Sequence, residues 1–184
     1  MLFQIVSFLL DIATGLLAGA CLLRLYMQYQ RIPFGNPIGR LVFALSDWIV
    51  LPLRRAVPPV GRWDLASLLA AFLLELAQYL LLALLLSAFG ATSLPLVPGL
   101  ALFGLLRLVV SGLTGLLIVY AIMSWVGGQS PLYGIVDRLC APPLAPIRRV
   151  LPPVGGLDLS PLVLLVVLQV ASIVLNHLQA SLLR

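Results

Sequence analysis

Arg54-Arg55-Ala56-Val57-Pro58-Pro59-Val60-Gly61 returns as Arg148-Arg149-Val150-Leu151-Pro152-Pro153-Val154-Gly155, 94 positions later and without a gap. The correspondence runs on in both directions. Tyr26 falls on Tyr120, Pro37 on Pro131, Leu45 on Leu139, Pro52 on Pro146, and Asp64-Leu65 on Asp158-Leu159. Each copy sets an Arg pair and a Pro pair just ahead of a long apolar run. The chain therefore reads as two repeats, residues 1–94 and 95–184.

Composition says what solvent surrounds those repeats. The chain has 184 residues, 62% of them hydrophobic and 9% charged, with mean hydropathy +1.15. A soluble domain carries about 25% charged residues, and a surface this apolar would be exposed in large patches in water. Lipid as the solvent removes the difficulty. Net charge is +5, and all eleven basic residues are Arg. A basic balance can signal nucleic acid, but arginines spread along a membrane chain report topology instead, so no nucleic-acid partner is expected. Two cysteines are too few for a disulfide framework; Cys21 lies in an apolar run and Cys140 in a polar loop, and they are not expected to pair. Leu17 to Cys21 faintly resembles a lipoprotein cleavage site, but no basic residue precedes it and the apolar run continues beyond. The missing basic n-region also argues against a cleaved signal peptide.

A spanning helix needs about 20 apolar residues at a rise of about 1.5 Å each. Four stretches qualify: Phe3 to Met27, Leu65 to Phe89, Gly99 to Trp125 and Pro161 to Leu182. Each half is then helix, loop, helix, and an even number of spans sends both halves into the membrane in the same direction. The result is a parallel repeat, unlike the inverted repeats of many transporters. Arg31, Arg40, Arg54, Arg55 and Arg62 fall between the first two spans, and Arg138, Arg148 and Arg149 between the last two. Arg184 stands alone on the other side. By the positive-inside rule both repeat loops face the cytoplasm and both termini face out.

The loops have structure of their own. Apolar residues at 38, 41, 42, 45, 48 and 49 follow a helical period, with Arg40, Ser46 and Asp47 largely opposite. Leu132, Ile135, Val136 and Leu139 repeat the stripe against Asp137 and Arg138. The spacing predicts a short amphipathic helix in the membrane interface over Ile38 to Ile49, and a second in the other repeat. A shallow re-entrant hairpin is the competing geometry. Pro37 and Pro131 suit a first helical turn; Pro52 and Pro142-Pro143 are expected near the helix ends. Beyond them Pro-Pro keeps the chain extended and Val-Gly lets it turn back. Ser160-Pro161 reads as N-cap and first residue of the last span, with Asp158 adding charge there, and Asp64 or Ser67 doing the same in the first repeat.

No catalytic constellation is present: one His, no Cys/His cluster, no Gly-x-Ser-x-Gly and no phosphate-cradling Gly loop. The chain is not expected to be an enzyme, nor to hold a metal or another cofactor, and His177 reads as structural. The sharper signal is intramembrane charge, which needs a partner or water. Asp11 lies 15 residues before Tyr26 and Arg107 lies 13 before Tyr120, both roughly 20 Å deep. Glu75 lies 11 residues after Asp64, roughly 16 Å deep. These depths predict one network of Asp11, Glu75 and Arg107, either a fixed salt bridge or a protonatable or ion-coordinating site. Its charge is not repeated, since Gln169 is the mate of Glu75. Gly15 and Gly19, and Ser111 and Gly115, have the spacing that permits close helix approach, within the chain or between copies. The loop residues Arg54, Arg55, Pro58, Pro59, Arg148, Arg149, Pro152, Pro153 and Asp158 have two readings. They anchor the protein on anionic lipid, or they present Arg forks on a Pro-stiffened loop to a partner.

Pro146-Ile147-Arg148-Arg149, then Pro152-Pro153, then Gly155-Gly156-Leu157-Asp158-Leu159-Ser160-Pro161 resembles the signature of the YggT/YlmG family. The first copy departs from it: Arg62-Trp63 stands for Gly156-Leu157, and Ala66-Ser67 for Ser160-Pro161, while Asn36-Pro37 supplies an Asn-Pro element written Ser130-Pro131 in the second copy. The resemblance implies a small integral membrane protein of bacteria or plastids, here of the bacterial inner membrane, with no enzymatic residues to carry over. It also implies links to osmotic tolerance and cell division in bacteria, and to cytochrome assembly and nucleoid organisation in plastids. Two functions follow as expectations, beside a third, purely lipid-organising role that rests on the two interfacial helices. One is an assembly or organising factor with a protein partner at its cytoplasmic loops, self-associating or not. The other is a small channel or transporter for ions or osmolytes, centred on the buried charges.

Overall fold

The computed structural model describes residues 2–87, 94–125, 130–150 and 158–182. Among them are six α-helices, a short 3-10 turn and no strand: α1 (Leu2–Tyr29), α2 (Pro37–Ala56), α3 (Leu65–Ser87), α4 (Val97–Trp125), α5 (Pro131–Val150) and α6 (Ser160–Leu182). Helices α1, α3, α4 and α6 have 28, 23, 29 and 23 residues, beyond the roughly 20 that cross a bilayer. Their outward faces are apolar, as with Phe8, Ile12 and Leu16 on α1 and Leu162, Val166 and Val170 on α6. The chain is an all-helical, multi-pass membrane protein.

By compactness it forms two units, residues 1–109 with 179–184, and residues 110–178, so α4 gives its first part to one and its remainder to the other. In the first unit α1, α2 and α3 pack on one another. The core joins Ala18 and Cys21 of α1, Val50 of α2, Ala66, Ala70 and Ala71 of α3, and Leu105 of α4. Small side chains dominate because helices in lipid gain from close backbone approach. The expected glycines make no such approach among the described residues. A Cβ at Gly15, Gly19 or Gly115 would meet nothing within 4 Å among the described residues; on α1 the inward line is Thr14, Ala18 and Cys21.

Helix α2 begins as its sequence dictates. Asn36 caps it, its side-chain oxygen accepting the Gly39 N–H at 2.8 Å, and Pro37 occupies the first turn. Arg31 adopts φ 55° to bring the chain round. Gly39 is required, because a Cβ there would sit 2.7 Å from the Phe34 Cα. Phe34 then stacks on Phe43 with ring centres 4.6 Å apart.

Two expectations need correction. Both loop helices run through their prolines: α2 contains Pro52, and α5 contains Pro142, Pro143 and Pro146. The Arg pairs 54–55 and 148–149 therefore lie in last helical turns rather than in extended loops, where their charge suits the helix dipole. Buried positions beyond the prolines explain the continuation: Leu144 of α5 extends the inward line of Val136, Leu139 and Cys140, so packing overrides the local penalty of proline. The apolar stripe of α2 is also divided. Gly39, Val42, Ser46 and Val50 face inward, while Leu41, Trp48 and Leu51 are exposed.

Candidate functional site

The inward Ser46 has a reason, which is Arg24. This arginine sits in the last part of α1, is 2% exposed, and would be costly in lipid without partners. It donates Nη1 to Ser46 Oγ at 2.9 Å and to Asp47 Oδ1 at 2.6 Å. Its guanidinium lies 4.7 Å from the Phe43 ring centre, and its Nε stands 3.8 Å from Asp64 Oδ2. Asp64, with 0% exposure, is the hub. Arg54 forks onto it, Nη2 to Oδ2 and Nε to Oδ1 at 3.4 Å, and Nη2 reaches on to Gln28 at 3.0 Å. Ser67 closes the cage, donating Oγ to Oδ2 at 2.7 Å. The Ser67 and Leu68 N–H groups donate to the Asp64 carbonyl, which makes Asp64 the cap of α3. Burial alone would push the Asp64 carboxyl up; the Arg54 and Ser67 hydrogen bonds outweigh it and hold it below its ordinary value. One carboxylate thus ties the ends of α1, α2 and α3 together.

Above this base the chain makes a tight, exposed turn. Val60 and Trp63 exchange backbone hydrogen bonds at 3.1 and 3.0 Å, and Gly61 takes φ 60°, which a side chain would resist. The Trp63 ring rests 5.0 Å from that of Tyr29. Arg55, Pro58, Pro59, Val60, Arg62 and Trp63 are all exposed. The two arginines of the pair therefore part company: Arg54 is structural, and Arg55 is free of the cage. Sequence reasoning missed Arg24 as a centre of this cluster. The signal was there, since a charge near a span end needs acids at its depth, and Asp47 and Asp64 lie at that depth.

The second unit repeats the pair in a weaker setting. Arg148 donates Nε to Asp158 Oδ2 at 2.8 Å and Nη2 to the Tyr120 hydroxyl at 3.0 Å. The side chains of Arg148 and Asp158 are both exposed, at 37% and 38%. Asp158 Oδ1 accepts the Ser160 N–H at 2.9 Å, and the Leu159 carbonyl takes the first helical bonds. Ser160 is therefore the first residue of α6 rather than its cap, and its buried Oγ has no partner among the described residues. Burial pushes the Asp158 carboxyl up, but the Ser160 and Arg148 hydrogen bonds hold it below its ordinary value. Arg149 is exposed; Pro152 and Pro153 lie outside the described residues. Cys140 is buried and its Sγ lies 3.8 Å from the Leu116 carbonyl. Burial, with Asp137 adding to it, raises its thiol to about 12, an unreactive state. No group of His, Cys, Asp or Glu that could hold a metal occurs among the described residues.

The mid-span charges are gathered around one turn of α3 in the first unit. Gln78 donates to Asp11 of α1. Tyr79 accepts from Arg107 Nη2 of α4 at 3.0 Å. Glu75, on the same helix face, is 5% exposed and lies against Gly104 of α4. The three predicted residues thus share a neighbourhood, but by way of Gln78 and Tyr79; no ion pair within 4 Å joins them among the described residues.

A small four-span helical protein, with an Arg–Asp clamp behind an Arg-Pro turn, is the class this geometry defines. The CCB3/YggT family model matches residues 3–85 and 99–179, and the chain belongs to that family. It is 37% identical to the uncharacterized protein YggT of Escherichia coli K12 over 177 residues, covering 95% of this chain and 92% of the relative. An uncharacterized protein in the proC 3′ region of Vibrio alginolyticus is 36% identical over 177 residues, 94% of each chain. An uncharacterized protein of Pseudomonas aeruginosa is 33% identical over 176 residues, 86% of this chain and 82% of its own. No solved structure matches.

Proposed function

We propose that this protein is a non-enzymatic assembly or organising factor of the bacterial inner membrane, docking a protein partner through its Arg-Pro loops on the cytoplasmic side. The observation that carries this reading is the contrast between the caged Asp64 and the exposed turn above it. A pre-organised turn loses little entropy when a partner binds, and Arg55, Arg62, Val60 and Trp63 offer both charge and apolar area. Trp48 supports an interfacial position for α2: its Nε1–H donates to the Leu45 carbonyl at 2.8 Å, so its exposed ring carries no unmet donor into lipid. The distribution of arginines supports the cytoplasmic placement of both loops and the outward termini. The two stretches matched by the family model support the repeat organisation. A role in osmotic-stress tolerance rests on the family resemblance. Open space at Gly15 and Gly19 among the described residues is consistent with self-association through α1.

The test is site-specific photo-crosslinking in intact cells from positions 60 and 62, read by mass spectrometry. A recurrent cytoplasmic or membrane protein, lost with Arg55→Glu and Trp63→Ala, supports the reading. Adducts to lipid alone would reduce the turn to a membrane anchor. The same variants, tested for growth at high osmolarity, should fail to replace the wild type. A second reading, a small ion or osmolyte channel or transporter, is favoured by the mid-span charges; flux into proteoliposomes that falls in Glu75→Gln would support it instead.

A further inference from the structure

We propose that Glu75, with Asp11 and Arg107, forms an intramembrane site that holds one exchangeable proton, carried by the Glu75 carboxyl. The inference does not depend on the docking role proposed above.

Three observations lead to it. Glu75 stands ten residues from either end of the span Leu65–Leu85, is 5% exposed, and has no hydrogen-bond donor among the described residues. A buried carboxylate without donors is among the costliest groups a helix can carry into lipid. The neighbouring charges do not balance. Asp11 and Glu75 bring two carboxylates, and Arg107 one guanidinium already held by Tyr79. Gln78 turns its amide to Asp11 rather than to Glu75, so the donor on the same turn serves the other acid. Finally, the space is kept by Gly104, where a Cβ would collide with Glu75 Oε2 and lie 2.7 Å from Tyr79 Cε2.

Among the described residues no other titratable group is placed to compensate. Arg107 of α4 and Asp11 of α1 are the charges that act on Glu75, and on α3 itself Tyr79 lines the same space beside Gly104. Helix α2 brings Asp47 and Arg54 to the other end of α3, around Arg24 and Asp64. One proton makes the count neutral: Glu75 as the acid, Asp11 and Arg107 as opposite charges. Of the two acids Glu75 takes it, because Asp11 is exposed and accepts from Gln78, while Glu75 is buried with no donor among the described residues. The proton adds to one carboxylate oxygen and leaves the same way, with no other bond changed.

Infrared spectroscopy of the full chain in liposomes tests this by the C=O band of a protonated carboxyl near neutral pH. The wild type should show the band, and Glu75→Gln, the residue found at Gln169, should lose it entirely. Asp11→Asn should lose it too, because one carboxylate then balances one guanidinium and Glu75 no longer needs the proton. The proposal is overturned if the wild type shows no such band from mildly acid to mildly alkaline pH, or if the band survives Glu75→Gln. Persistence in Asp11→Asn would make Glu75 an isolated neutral acid and overturn the shared site. Loss of the band on adding Na⁺ or K⁺ at fixed pH would assign the site to a metal cation, which also overturns it.

Discussion

Asp64→Asn and Asp158→Asn make the same change at the same place in each repeat, and the structure gives them different costs. Asp64 is wholly buried, with the Arg54 fork, the Ser67 hydroxyl and the nearby Arg24 directed to it. Removing its charge leaves two guanidiniums facing an amide that offers them one acceptor. Breaking a buried pair in this way costs about 3–5 kcal/mol. Arg54 is 29% exposed and can rehydrate, and Arg24 keeps Asp47 and Ser46, so the lower end, about 3 kcal/mol, applies. That is roughly a hundredfold in the unfolding equilibrium. At Asp158 both partners are open to solvent, where such a pair contributes about 0–1 kcal/mol. Unfolding of both variants in the same detergent by denaturant titration gives the ratio directly. Adding Arg54→Gln to Asp64→Asn should restore part of the loss, since the uncompensated charge goes with it. Equal effects at the two aspartates, or a double variant that is simply additive, would refute the view that buried charge at Asp64 holds the three helix ends.

Gly104→Ala should destabilise by about 1–3 kcal/mol, as overpacking does, because Glu75 and Tyr79 must give way. Gly99→Ala on the same helix meets open space and serves as the control in the same unfolding assay. Stability should fall under acid conditions. The folded carboxyls of Asp64 and Asp158 lie below their ordinary values, so their contribution is present above the unfolded value of about 3.9 and is lost as pH falls through the lower folded values. A pH series of unfolding midpoints checks this, and Asp64→Asn should flatten it. Cys21 and Cys140 are both buried; maleimide labelling of the native protein should be slow at both and become rapid in denaturing detergent.

Much of the fold was legible in the primary structure because lipid imposes a simple rule. Each span must satisfy its own backbone, so about 20 apolar residues report a helix with little ambiguity. The four spans Phe3 to Met27, Leu65 to Phe89, Gly99 to Trp125 and Pro161 to Leu182 fall within a few residues of α1, α3, α4 and α6. The loop helices were harder. Pro52, Pro142 and Pro143 read as endings, yet packing beyond them at Leu144 carries α5 through. The apolar stripe at 38, 41, 42, 45, 48 and 49 reads as one face of an interfacial helix, because a helical period does not distinguish lipid from protein as the apolar neighbour. Against lipid an apolar side chain is content on either side, and Leu41 and Trp48 point away while Ser46 turns in.

What the chain order determines, then, is the number of spans, the Arg-rich loops between them, and the recurrence of Arg, Pro-Pro and Asp at one spacing. Those are local properties of composition and period. Which charges meet is not local. Arg24 finds Ser46, Asp47 and Asp64 only because α1, α2 and α3 converge. The same convergence buries Asp64, while its mate Asp158 stays open. Likewise Glu75 matches Asp11 and Arg107 in depth, but rotation of α3 gives Asp11 to Gln78 and Arg107 to Tyr79. Depth can be counted along a helix at a fixed rise per residue. The azimuth of a side chain is set by helix packing, and it leaves the Glu75 carboxylate without a hydrogen-bond donor among the described residues.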